Sequence, residues 1–176
     1  MGKVKPWDAL FYTGAQFLGA LSGIAIARYL FRGAPGHPAV RYALTAPGAC
    51  GAAAAFVAEV IISFVLMITV LFASNRASLA RYTPYFAGAL TATFITFEAP
   101  FSGASTNPGR SFGAALHAWY WHALWIYFTA PPLGMLVAAE VFLAVRGGAG
   151  PYCAKLHHAN DKRCIFNHGQ GGRSLT

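Results

Sequence analysis

Charged side chains are scarce in this chain. Asp, Glu, Lys and Arg make up 10% of its 176 residues, and only five are acidic. An ordinary soluble domain carries about 25% charged residues, so this supply excludes one. Ser, His and Asp all occur, but never at the spacing of a nucleophile elbow or a metalloprotease helix. That rules out the familiar hydrolase sites, and the chain reads as a non-enzyme that needs no cofactor. A cleavable signal peptide is missing as well, because Asp8 interrupts the opening and the apolar run behind it is too long.

Apolar sequence is abundant. Hydrophobic residues make up 56% of the chain, and they gather into four runs. Leu10 to Ala27 and Tyr82 to Phe97 are uncharged, Ala49 to Ser74 carries only Glu59, and Trp119 to Val145 carries only Glu140. A spanning helix needs ~20 apolar residues, so each run is predicted to cross a bilayer, the third falling short unless it continues through Glu98. Gly14, Gly19, Ala20, Gly23, Gly88 and Ala89 give these runs small residues that allow close helix approach. Cys50 opens an apolar helix and is expected to pack.

The net charge of +8 invites a nucleic-acid reading, but its distribution argues against one. With the N-terminus in the cytoplasm, Lys3, Lys5, Arg76, Arg81, Arg146, Lys155, Lys162, Arg163 and Arg173 all lie inside. Arg28, Arg32, Arg41 and Arg110 then lie outside. This is the asymmetry of the positive-inside rule. Basicity here reports topology, with both termini cytoplasmic, and no nucleic-acid partner.

The most informative segment is Ser105-Thr106-Asn107-Pro108-Gly109-Arg110-Ser111-Phe112-Gly113, set between two apolar runs. Asn107 suits an N-cap and Pro108 the first helical position. A helix from Pro108 to Ala118 would be ~16 Å long, about half a bilayer. Its N-terminus would point free N–H groups and the positive dipole end into the membrane centre, where irregular backbone is tolerated only against a cavity. The combination describes the lining of a pore. Asn107 could donate its amide to a passing oxygen, and Arg110 could supply fixed donors while repelling cations and protons.

This segment resembles the second signature loop of the aquaporin (major intrinsic protein) family, with Gly109 in place of the usual Ala. Ala15-Gln16-Phe17-Leu18-Gly19-Ala20 resembles the family's third helix, Phe56-Val57-Ala58-Glu59 with Ser63-Phe64 its fourth, and Trp125 to Pro131 the start of its sixth. The likeness runs from about Asp8 to Leu143 in the family's order. It implies an all-α membrane protein of bacterial type, in the inner membrane. Its fold would be a partial aquaporin-like right-handed bundle of four spanning helices and one re-entrant half-helix over residues 1–146. The first two helices and the first signature loop are expected to be missing, and His37-Pro38-Ala39-Val40 is read as part of the outer connection instead.

By the same resemblance the chain is a passive channel for water or small uncharged solutes, a homotetramer when full length and inactive as it stands. The alternative is a non-conducting membrane remnant that acts through its tail. The pore signature would be Asn107, Pro108, Gly109 and Arg110, and the selectivity filter Ile95, Ala104 and Arg110. Ile95 cannot hydrogen-bond, which makes that filter more apolar. Ser111, Ala115 and Tyr127-Phe128 resemble water-type rather than glycerol-type members, leaving water slightly ahead. Glu59 matches a family Glu that braces the signature loop through backbone N–H groups. Glu98 could face an outer vestibule or satisfy loop amides, the second being preferred, and Glu140 could snorkel.

Residues 147–176 read as a cytoplasmic basic tail. Cys153, His157, Cys164 and His168 could ligate zinc, although the spacing is not that of a standard finger.

Overall fold

The computed structural model describes residues 4–151, which form helices and connections with no strand among the described residues. Helix α1, Pro6–Leu30, starts with Pro6 in its first turn, where a missing N–H costs nothing, and carries Asp8 there and Arg28 in its last turn. Arg32 and Gly33 then take left-handed conformations (φ 51° and 87°), and the Gly33 N–H closes the helix on the Arg28 carbonyl at 2.7 Å. No residue of α1 is buried. It packs mainly on α5 and leaves the rest of its circumference open.

Helix α2, Gly51–Ser74, and helix α6, Leu124–Val145, form the most extensive helix pair. They approach closely at Gly134, where a Cβ would lie 2.3 Å from the Val60 carbonyl oxygen. Ala55, Ile126, Tyr127 and Ala130 make the buried core of the pair, with Phe56, Val60, Ala123 and Leu124 packed on it. Helix α6 begins five residues after Trp119, because Trp119 and Ala123 are both left-handed (φ 51° and 55°) and the segment between them turns.

The third apolar run does not continue as a helix through Glu98. Helix α3, Thr83–Phe97, has 15 residues, a length of ~22 Å against a hydrocarbon core of ~30 Å. Pro100 lacks the N–H that would bond to the Thr96 carbonyl, so the helix stops and a four-residue turn, α4 (Ala99–Ser102), follows it. Three helices, α1, α2 and α6, are therefore long and apolar enough to span a membrane among the described residues. The half-helix α5, Pro108–Ala118, lies between α1 and α6.

Two further expectations are corrected. Cys50 is exposed just before α2 and is not packed. At Gly14, Gly19, Gly23 and Gly88 a Cβ would meet nothing within 4 Å, so close approach does not occur at these glycines.

Candidate pore-lining site

The site is built on the first turn of α5. Asn107 is extended (φ −147°) and its side-chain oxygen accepts the N–H groups of Gly109 at 2.8 Å and Arg110 at 3.4 Å. Two of the orphan donors of a helix start are satisfied in this way. The side-chain amide of Asn107 points the other way and donates to Gln16 Oε1 of α1 at 3.1 Å.

The approach to that turn is bent backbone. Gly103, Ala104 and Thr106 are left-handed, with φ of 88°, 50° and 52°. Such conformers cost non-glycine residues of order 1–3 kcal/mol each and persist only when neighbours over-determine them. Glu59 of α2 supplies the constraint. Its Oε1 accepts Ser102 Oγ at 2.7 Å and the Ser105 N–H at 2.6 Å, while Oε2 accepts the Thr106 N–H at 2.9 Å. Glu59 is fully buried, and three donors converge on it, as a buried carboxylate requires. Tyr127 of α6, also fully buried, donates its hydroxyl to the Ser102 carbonyl at 2.7 Å.

The bend turns two carbonyls toward Arg110, whose guanidinium donates to Gly103 O at 3.3 Å and Ala104 O at 3.0 Å. Fixed on that edge, the guanidinium keeps its other donors for the groove beside it. This groove, of about 380 Å³, is lined by Tyr12, Ala15, Gln16, Gly19, Ala20, Asn107 and Arg110. It is wide enough for several water molecules at ~30 Å³ each. The α1 wall is apolar apart from Tyr12 and Gln16, and the facing edge presents the Asn107 amide and the Arg110 guanidinium, so the groove suits a neutral solute that accepts hydrogen bonds.

Of the residues picked from the sequence, Asn107 and Arg110 share this groove, and Pro108 and Gly109 form the turn behind them. Ala104 is buried and reaches Arg110 through its carbonyl. Ile95 lies on α3, 54% exposed, and does not line the groove. The Glu98 carboxylate is covered and lies against the Ser102 hydroxyl and the Ala104 N–H, while Glu59 holds the Ser105 and Thr106 amides and Ser102 Oγ also takes the Ala104 N–H at 3.2 Å. His37 sits in the connection between α1 and α2, accepting the Ala39 N–H on Nδ1 at 3.2 Å. Glu140 is exposed on α6.

Cys153, His157, Cys164 and His168 lie outside the described residues, and within them no group of three or more His, Cys, Asp or Glu side chains could hold a metal ion. Sequence reasoning gave no role to Gln16, Tyr12 or Thr45. Gln16 had a readable signal, as a lone amide in an otherwise uncharged spanning run. Thr45 had none.

Apolar helices of spanning length packed around a half-helix define an integral membrane protein. The chain belongs to the major intrinsic protein family, whose profile matches residues 1–142. Among similar proteins is "Probable aquaporin TIP-type alpha" of Phaseolus vulgaris, 31% identical over 80% of this chain and 54% of that protein. Aquaporin NIP6-1 of Arabidopsis thaliana is 32% identical over 80% of this chain and 45% of its own length. Aquaporin TIP4-4 of Zea mays is 31% identical over 85% of this chain and 60% of its own. The chain thus spans about half the length of the curated relatives it matches.

Proposed function

We propose that this chain forms one side of a passive channel for water or small uncharged solutes. The observation that carries the reading is the convergence of the Asn107 amide and the Arg110 guanidinium, both in the first turn of α5, on one groove. Fixed donors replace part of the hydration of a neutral solute, while the positive charge and dipole repel cations and protons. The names of the relatives support the same reading, since those proteins are called aquaporins.

In this scheme Glu59 is the structural brace, and Arg110 with the Ala104 carbonyl forms one edge of the filter. Ile95 would join that edge only if α3 turns it toward solute in the assembled pore. The reading is one of transport without catalysis. Water is the preferred solute, cytoplasmic termini the preferred orientation, and a homotetramer the preferred assembly of the complete pore. The relatives named above are plant proteins, so the proposal is confined to an integral membrane location.

The test uses vesicles holding the chain together with a segment that supplies two further spanning helices and an opposing half-helix. Stopped-flow light scattering reads water flux and a pH-sensitive dye reads proton leak. Arg110→Val is expected to raise proton leak and small-solute passage at least several-fold, with water flux retained. Unchanged proton and solute permeability would remove Arg110 from the filter.

A further inference from the structure

A buried chain of hydroxyls ties the outer connection between α1 and α2 to the back of Asn107. Thr45 Oγ1 donates to Ser111 Oγ at 2.7 Å, Ser111 and Ser105 hydroxyls are 2.5 Å apart, and Ser105 Oγ donates to the Asn107 carbonyl at 3.0 Å. Thr45, Ser105 and Ser111 are all buried, at 3%, 2% and 0% exposure. Each hydroxyl has one proton to give. Ser105 spends its own on Asn107 O and Thr45 spends its own on Ser111, so the Ser111 proton must go to Ser105. The chain therefore has a single direction, from Thr45 to Asn107. The Asn107 carbonyl also accepts the Ser111 N–H at 3.2 Å, and the Asn107 N–H donates to Ser105 Oγ at 3.3 Å.

Thr45 stands at the head of this chain because the outer connection is wedged there. Arg41, Tyr42 and Ala43 are three consecutive left-handed residues (φ 45°, 56° and 51°), a conformation that L-residues avoid. The Tyr42 ring is 5.7 Å from that of His117 at the end of α5, and the Arg41 guanidinium lies 5.4 Å from the Tyr120 ring. On the other side, the Gly48 N–H donates to Phe101 O at 2.9 Å, and a Cβ on Gly48 would lie 1.8 Å from the Pro100 carbonyl oxygen. The segment is pinned at both ends, with Thr45 between the pins.

We propose that Thr45 is a positioning residue for Asn107 and Arg110, acting through the Thr45–Ser111–Ser105 hydroxyl chain, so that the outer connection sets the geometry of the signature turn. Its meaning for transport rests on the channel reading above, whereas the coupling itself does not. Without the Thr45 donor, Ser111 Oγ loses the bond that anchors it to the connection, and the Ser111–Ser105 pair behind the Asn107 carbonyl is held from one side only. Valine fills nearly the same volume without a donor, and serine keeps the donor.

The test is hydrogen-exchange mass spectrometry on the full chain in lipid nanodiscs, comparing Thr45→Val, Thr45→Ser, Ser111→Ala and the Thr45→Val/Ser111→Ala double variant. Losing one net hydrogen bond corresponds to about five-fold faster opening. Thr45→Val and Ser111→Ala should each speed exchange over residues 103–111 about five-fold, with α2 and α6 unchanged. Thr45→Ser should match wild type, and the double variant should be no faster than the faster single one. Unchanged exchange in Thr45→Val, a Thr45→Ser variant as loose as Thr45→Val, or multiplying single effects would each overturn the role. If Thr45→Val does not insert, Ser111→Ala and Thr45→Ser decide it alone, since an unchanged 103–111 segment in Ser111→Ala also overturns it. Water flux measured in parallel separates the two readings: coupling without flux in the completed pore strikes the channel function and leaves the positioning role intact.

Discussion

At the scale of single residues, Glu59 holds the most concentrated set of interactions in the molecule. Three donors meet on one buried carboxylate, and two of them are the backbone amides of a strained bend. Glu59→Ala would leave the Ser105 and Thr106 amides without a partner, at about 1–3 kcal/mol each for a buried group, whereas Ser102 Oγ keeps Glu98 beside it. The expected loss of stability is at least ~2 kcal/mol, read as a lowered thermal midpoint in detergent. Glu59→Gln separates the contributions. Its carbonyl can stay at the Oε1 position and keep the Ser102 and Ser105 bonds, but its NH₂ then faces the Thr106 N–H donor to donor. This variant should lose about a third to a half as much stability as Glu59→Ala, with faster amide exchange at Thr106 and not at Ser105. A Glu59→Ala protein as stable as wild type would show that the bend holds itself.

At the scale of elements, the α2–α6 pair decides whether Glu59 reaches its loop. Gly134 lets the α6 backbone meet the Val60 carbonyl, one residue from Glu59. A side chain there meets backbone, which cannot swing aside. Gly134→Val should therefore part the two helices at a cost of about 1–3 kcal/mol, as overpacking does. It should also loosen Ser105 and Thr106 as their acceptor moves away. Thermal unfolding with amide exchange reads both effects, and a lower midpoint with those amides unaffected would detach the helix contact from the brace. Gly19→Ala is the control: nothing lies near a Cβ there, so stability should hold or rise slightly through helix propensity. The half-helix was legible in advance because its signals are local, with an N-cap Asn, a first-turn Pro and a following Arg. The break at Glu98 was half legible, since Pro100 could be seen but the four-residue turn after it follows from the Gly103 conformation.

At the scale of the whole molecule, the groove between α1 and the start of α5 is open on one side. Tyr12 is 59% exposed and no residue of α1 is buried, so on its own the chain presents Gln16, Asn107 and Arg110 beside an open apolar face. Water entering that groove in a bilayer would border hydrocarbon, and each unsatisfied polar group there costs several kcal/mol. Vesicles holding the 176-residue chain alone should therefore shrink under osmotic stress no faster than bare lipid. A water flux with low activation energy from the chain alone would mean that copies of it complete the pore for one another.

The sequence by itself determined that the protein lives in a membrane, that a half-helix starts at Pro108, and that Asn107 caps it. Each of these depends on composition or on residues two or three positions apart, within reach of local backbone geometry. Only the tertiary structure decided which amides Glu59 holds, those of Ser105 and Thr106, that Gln16 meets Asn107 across 91 residues, and that Thr45 meets Ser111 across 66. Helices that are apolar on nearly every side have no polar stripe to mark their inner face. Their rotation is set by where small residues let backbones touch, and that depends on the neighbouring helix as much as on the helix itself.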